Sequence, residues 1–283
     1  KEYFNPADVD TEKDDKGRVL SATLMQDGQP VEVGGIEKMS KSKNNGVDPQ
    51  SMIDRYGADT VRLFVMFASP PEQSLEWNDD AVAGASRFLN RVWIWFYRHQ
   101  KALKAEPCAQ LMAPSFDNEA LSDLRRKVYT LLDRALRDYD RQQFNTVIAA
   151  CMELTNTLEK FDWIAAGSAG AEVQRESALI LLKLLAPVAP HIAEQLSEEI
   201  NIRQQIETTW LRVDETALQV ANIELVVQVN GKLRSKLKVA AGIEREQVEV
   251  LALADENVQR FIEGSTVRKV IVVPGKLVNV VAN

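Results

Sequence analysis

The stretch Leu121-Ser122-Asp123-Leu124-Arg125-Arg126-Lys127-Val128-Tyr129-Thr130-Leu131-Leu132-Asp133-Arg134-Ala135-Leu136-Arg137-Asp138-Tyr139 sets Leu121, Leu124, Val128, Leu131, Ala135 and Tyr139 at steps of three and four residues. On an α-helix these positions form one apolar stripe that must be covered by other elements. The sequence that follows supplies cover: Phe144, Val147, Ile148, Cys151, Leu154, Leu158 and Phe161 repeat the pattern. Leu179, Leu182 and Leu185 then lead to Pro187 and Pro190, where a missing amide donor and a ring clash must break or kink the helix before a short one beginning near His191. Upstream, Asn78 followed by Asp79 and Asp80 makes an acidic helix start, matched to the positive end of the helix dipole. Residues 78–212 therefore read as a helix bundle.

Beyond a polar linker near Val213 to Ala221 the period changes from helical to two. Ile223, Leu225, Val227 and Val229 alternate with polar residues up to Asn230-Gly231, and Leu233, Leu237 and Val239 continue past it, which predicts a hairpin with a tight turn. With a helical stretch from Glu244 to about Glu263 and strands at Val270–Val273 and Leu277–Val281, residues 222–283 form a small α/β unit. Strand alternation places Lys232, Arg234, Lys236 and Lys238 on one face, opposite Leu233, Leu237 and Val239. That basic face suits phosphate, or it guards an edge strand against aggregation. At the other end, residues 1–36 carry two alternating stretches, Arg18 to Met25 and Gln29 to Val33, about Asp27-Gly28, a two-residue hairpin signal.

Between these regions lies Lys38-Met39-Ser40-Lys41-Ser42-Lys43-Asn44-Asn45-Gly46, which concentrates three lysines on a backbone too polar for a core. Asp48 can cap a helix and Pro49 fits its first position, so the lysines stand just ahead of a helix N-terminus, whose amides and dipole favour an anion. A flexible ammonium can follow phosphoryl oxygens as their charge shifts. The pentapeptide alone is equally compatible with a solvated loop. On the first bundle helix Arg87, Arg91 and Arg98, offset by four and seven, share a face beside Trp93, Trp95, Phe96 and Tyr97. The aromatics read as core; the arginines read either as a phosphate-contacting stripe or as a wet face, as do Arg125, Arg126 and Lys127.

Composition narrows the classes. Of 283 residues 45% are hydrophobic, enough for two or three compact cores. A formal charge of −7 argues against coating nucleic acid non-specifically, so any RNA contact must be local. Residues 222–283 run the other way, with nine Lys and Arg against seven Asp and Glu. No apolar run approaches the roughly twenty residues of a membrane span, and the cytosol is the expected location. Cys108 and Cys151 lie far apart in sequence and outside any Cys-x-x-Cys pair, so neither a disulfide framework nor a metal site is expected.

The lysine loop, followed by Asp54-Arg55-Tyr56-Gly57-Ala58-Asp59-Thr60-Val61-Arg62-Leu63, resembles the class I aminoacyl-tRNA synthetases, in particular the leucine, isoleucine and valine branch. Lys-Met-Ser-Lys-Ser-Lys-Asn-Asn-Gly-Val-Asp-Pro is most similar to the leucine-activating members. Arg87 to Trp93, Phe144 to Ala149 and Leu185 to Glu194 resemble the family's anticodon-binding bundle, while Val227 to Arg234 and Val267 to Leu277 resemble the extra C-terminal domain of bacterial leucine enzymes.

The resemblance implies a multidomain, mainly α chain: the tail of a β-rich insertion at 1–36, a lysine-loop and stem-contact segment at 37–77, an anticodon-binding bundle at 78–212 and a small α/β tRNA-binding domain at 222–283. It implies ATP as substrate with Mg2+ accompanying it, leucine and tRNA(Leu) as partners, nothing tightly bound in this segment, no membrane association, and a monomer. Lys41 and Lys38 are the implied catalytic residues, and Lys38, Met39, Ser40, Lys41 and Ser42 the ATP-binding ones. Arg87, Arg91, Arg98, Lys232, Arg234, Lys236 and Lys238 are the implied tRNA contacts. The family's His-x-Gly-His motif is missing, since the only histidines are His99 and His191. The chain is therefore expected to be a C-terminal part, inactive in adenylate formation by itself. His191, at a helix start, reads as a structural hydrogen-bonding residue. The alternatives are a stand-alone tRNA-binding module, an isoleucine- or valine-type fragment, and a structural fragment that binds another protein.

Overall fold

The computed structural model describes residues 2–15, 18–35, 37–104, 118–208, 210–219 and 222–283. It is mainly helical with a small sheet. The chain divides into two compact units, Lys1–Leu111 with Leu131–Arg212, and Met112–Thr130 with Val213–Asn283.

The first unit opens with an antiparallel pair, β1 (Val9–Lys13) and β2 (Val19–Leu24), in register Val9 to Leu24 and Asp10 to Thr23. Here the structure corrects the expected hairpin. A turn does form at Asp27-Gly28, with Gly28 at φ 71° and its amide bonded to Leu24 O at 2.8 Å, but Gln29 to Val33 returns only as a single bridge between Thr23 and Pro30. The principal partner of β2 is β1, whose sequence Val-Asp-Thr-Glu-Lys shows no apolar alternation. Asp14 supports that pairing by accepting from the Arg18 amide and side chain, each at 2.8 Å.

After the lysine loop come α1 (Pro49–Tyr56) and α2 (Ala58–Ala68), separated by Gly57 at φ 84°. Next is α3 (Asp79–Leu103), started by Asn78, whose side chain accepts from the Ala81 amide at 3.0 Å. The helices α4 (Glu119–Asp140), α5 (Phe144–Lys160), α6 (Gly167–Leu185), α7 (Pro190–Glu199) and α8 (Arg203–Thr208) follow. The division between units falls within α4. The first core joins Val82, Phe88, Val92, Trp95 and Phe96 of α3 to Val147, Ile148, Leu154 and Leu158 of α5 and to α6, buried along most of its length. As the prolines required, α6 ends at Leu185, and Pro190 begins α7 at a position where its missing amide costs no helical bond.

The second unit contains the short helix α9 (Glu215–Leu218) and the strands β3 (Asn222–Val229) and β4 (Lys232–Ala240). After these come α10 (Arg245–Ala254), α11 (Glu256–Ile262), β5 (Val267–Val273) and β6 (Leu277–Ala282). The sheet order is β4-β3-β6-β5, with β3 and β6 parallel and the other pairs antiparallel. Leu225, Val227, Val229, Val278 and Val280 pack with Val248, Ala252 and Val258 of α10 and α11 in its core. Asn230 (φ 50°) and Gly231 (φ 78°) make the expected two-residue turn. Its amides and side chains are engaged by β6: Asn230 exchanges two bonds with the Ala282 backbone, and Gly231 N donates to Asn279 Oδ1. The region read as a polar linker is partly anchored, because Ala217 of α9 is buried and Asp214 pairs with Arg125 at 2.7 Å.

Candidate functional site: the lysine loop and the basic faces

The loop is shaped by its own polar residues. Lys41–Lys43 forms a single 3-10 turn, ended by Asn44 in the left-handed region at φ 47°. Asn45 closes it from below, its Oδ1 accepting from Ser40 N at 2.8 Å and its Nδ2 donating to Lys38 O at 3.4 Å. Sequence reading assigned no role to Asn45, although an Asn two residues from a lysine run is a ready side-chain surrogate for backbone bonding. The Ser40 and Ser42 hydroxyls lie 3.3 Å apart, and Met39 is exposed.

The three lysines are not equivalent. Lys43 is bonded to Glu37, whose carboxylate raises its pKa above the usual lysine range. Lys38 and Lys41 are exposed and have no ion-pair partner among the described residues. Two cations are thus available to an anion. The helix start is not available in the way expected: Asp48 accepts from Gln50 N at 3.3 Å and Ser51 N at 2.9 Å, so its carboxylate already occupies the amides a phosphate would use. A cap and an anionic ligand compete for the same donors, so the exposed lysines, not the helix amides, are the loop's groups open to an anion.

On α3 the aromatics divide. Trp95 and Phe96 are core, as read, but Trp93, Ile94 and Tyr97 are exposed, Tyr97 at 69%. Arg87, Asn90, Ile94, Tyr97, Arg98 and Lys101 recur at three- and four-residue steps and form the outward face. Arg91 is drawn away from it by Glu159 and Asn156 of α5. Arg87, Arg98 and Lys101 have no ion-pair partner among the described residues, so the open basic face includes Lys101, which sequence reading passed over, and excludes Arg91.

The basic face of β4 also differs from expectation. The register between β3 and β4 shifts at Val227/Gln228, so that Gln228 opposes Leu233 and Val227 opposes Ser235, with Arg234 the extra residue. A bulge of this kind interrupts the alternation. Arg234 and Ser235 both turn toward α11, the guanidinium 3.7 Å from the Phe261 ring centre and the Ser235 hydroxyl donating to Asp255 at 2.8 Å. Leu233 is left exposed. Lys236 and Lys238 stay outward but are paired with Glu224 and Glu119, while Lys232 is exposed beside the turn. The four cations do not share one face.

Other polar groups are structural. Arg125 is buried against Asp214 and the Tyr129 ring, and Arg126 pairs with Asp123 one turn earlier. His99 hydrogen-bonds through Nδ1 to Trp95 O at 3.0 Å, and burial with the nearby Arg98 lowers its pKa. His191 is bonded to Asp59. Cys151 is wholly buried, which pushes its thiol up to about 12, and Cys108 lies outside the described residues. No helix among the described residues is long and apolar enough to cross a membrane.

Residues 18–78, which hold the lysine loop, match the family model for class I tRNA synthetases (I, L, M and V), and residues 122–250 match that for the anticodon-binding domain of tRNA ligase. These two stretches carry the likeness to tRNA synthetases of class I and to the anticodon-binding domain of tRNA ligases. Within that class, its whole length is similar to the C-terminal region of bacterial leucine--tRNA ligases. It is 50% identical over 286 residues to the leucine--tRNA ligase of Ralstonia pickettii, aligning 100% of this chain with 32% of that protein. The leucine--tRNA ligase of Chromohalobacter salexigens is 52% identical over 289 residues, with 33% of its length covered. The chain thus spans about a third of the curated relatives it matches. Among solved structures, the ternary complex of Agrobacterium radiobacter K84 agnB2 LeuRS with tRNA and LeuAMS aligns with a TM-score of 0.64 and 28% identity, over 87% of this chain and 32% of that one.

Proposed function

We propose that the chain is the part of a leucine--tRNA ligase that supplies the lysine loop and tRNA-binding surfaces, and that the intact protein joins leucine to tRNA(Leu) at the expense of ATP. In that reaction leucine's carboxylate attacks the α-phosphorus and pyrophosphate departs; a hydroxyl of the terminal adenosine then attacks the carbonyl of the leucyl-adenylate, taking the leucyl group and releasing AMP. The observation that carries the assignment is the loop itself: Lys38 and Lys41, both exposed and without an ion pair among the described residues, are held by Asn45 within a segment matched by the class I family model. Lys41, inside the turn, stabilises charge on the departing pyrophosphate. Lys38 assists from the loop's base, while Met39, Ser40 and Ser42 line the closed loop against ATP.

Among the described residues no three His, Cys, Asp or Glu side chains gather as a metal site, and in this reading Mg2+ enters with the ATP phosphates. The functional divisions follow the segments: ATP chemistry at 37–77, and tRNA contact by the bundle at 78–212 and the C-terminal domain at 222–283. For tRNA, the outward face of α3 is the better-supported contact, because Arg87, Arg98 and Lys101 have no ion pair among the described residues and lie beside exposed Trp93 and Tyr97. Of the four β4 cations, Lys232 is exposed and has no ion pair among the described residues, and Lys236 and Lys238 must exchange carboxylates for phosphates. Arg234 contributes through its stack on Phe261.

The test is leucine-dependent ATP–pyrophosphate exchange by the full-length protein and its Lys41→Ala variant. Loss of one preorganised electrostatic donor is expected to slow adenylate formation by roughly 10²–10³-fold, about 2.7–4 kcal/mol. An unchanged rate in Lys41→Ala would end the assignment, and a full-length protein without leucine-dependent exchange would end the reading as a whole.

A further inference from the structure

The helix that follows the lysine loop is tied to the bundle by one carboxylate. Asp59, in the first turn of α2, accepts from Ile192 N at 2.8 Å and lies 2.7 Å from His191 Nδ1, both at the start of α7. Its side chain is only 12% exposed, and Arg62 one turn later is 3.4 Å away. α7 needs such a partner, because its own N-cap residue is Ala189, with no side-chain acceptor, and Pro190 occupies the first position. The helix start therefore leaves amides that only a distant group can satisfy, and a carboxylate also suits the positive end of the dipole. That group is 133 residues away in sequence.

From Asp59 the chain leads back to the loop through the start of α2 and the length of α1. Gly57 joins α2 to α1, its amide bonded to Ile53 O at 2.8 Å. At the far end of α1, Asp48 holds Gln50 N and Ser51 N, and its own carbonyl takes the Ser51 hydroxyl at 2.8 Å. Two residues before Asp48, the loop ends at Asn45-Gly46.

We propose that Asp59 is a positioning residue for the lysine loop: by clamping α2 onto the start of α7 it fixes the base from which Lys41 reaches ATP. This rests on the reading of Lys41 given above. A misplacement of a catalytic group by about 1 Å costs up to about 10²-fold in rate, so a clamp of this kind acts on turnover more than on substrate binding.

The experiment is a double-mutant cycle in the full-length protein, reading kcat and the leucine KM of pyrophosphate exchange. Asp59→Ala is expected to lower kcat by about tenfold with the leucine KM unchanged. Asp59→Asn, which keeps a neutral acceptor for Ile192 N, should fall between it and the wild type. In the Lys41→Ala background neither substitution should lower kcat further, because the group being positioned is gone. A wild-type kcat in both Asp59 variants, or a loss that multiplies fully with that of Lys41→Ala, overturns the proposal. Should Asp59→Ala fail to fold, the Asn variant carries the same cycle. A wild-type kcat in Lys41→Ala alone instead sinks the lysine assignment, and the route proposed for Asp59 with it.

Discussion

Arg125 shows how little a charge run says about its own purpose. Arg125-Arg126-Lys127 reads as an RNA-binding stripe or, more often for a basic run on a helix, as a solvated face, yet Arg125 is 5% exposed, ion-paired to Asp214 and stacked on Tyr129. Removing one partner of a buried pair leaves the other's desolvation uncompensated, so Arg125→Ala is expected to cost about 3 kcal/mol in chemical denaturation. Asp214 adds a pH signature. Burial acts to raise its pKa, but hydrogen bonds from Thr216 and Arg125 outweigh it and hold the carboxyl below its usual 3.8. A depressed folded-state pKa gives stability that is complete above the unfolded value and disappears as pH falls through the folded one. Denaturation midpoints should therefore drop below about pH 4 in the wild type, and less steeply in Asp214→Asn. The same scale limits what could be read in the lysine loop. Residue types singled out a run of three lysines, but only the folded loop shows that Lys43 is spent on Glu37 and that Asp48 fills the helix amides.

Among elements, those with strong periodicity or punctuation were legible. The amphipathic helices, the break between α6 and α7, and the Asn230-Gly231 turn follow from apolar spacing, from proline's missing amide, and from a turn type that needs two positive φ angles. β1 was not legible, because Val9–Lys13 has no alternating apolar face and becomes a strand only by pairing with β2. Nor was the bulge at Arg234: it is a property of two strands in register, and it moves a cation that one strand alone would leave on the outer face. Gly231 gives a test at this scale. A Cβ there would meet nothing within 4 Å, so the cost of Gly231→Ala is purely conformational, about 1–2 kcal/mol for a left-handed backbone. Hydrogen exchange should quicken in β3 and β4 while the amides of α3 and α5 keep their protection.

For the whole molecule, a net charge of −7 requires nucleic-acid contact to be confined to patches. The outward face of α3 is the patch proposed for that contact, and charge reversal tests it. Arg98→Glu in the full-length protein is expected to raise the KM for tRNA and to reduce the dependence of binding on log salt by about one unit, leaving leucine-dependent pyrophosphate exchange intact. An unchanged salt slope would remove α3 from the RNA-contacting surface.

The sequence by itself determined the helical bundle, the change to a small α/β unit and the lysine loop, because these depend on residue type and spacing along one segment. The tertiary structure alone decided which cations are free, that Trp93 and Tyr97 lie outside the core, and that Asp59 caps a helix 133 residues away. Charge pairing, burial and long-range capping are set by which segments come together, and local sequence does not carry that distance.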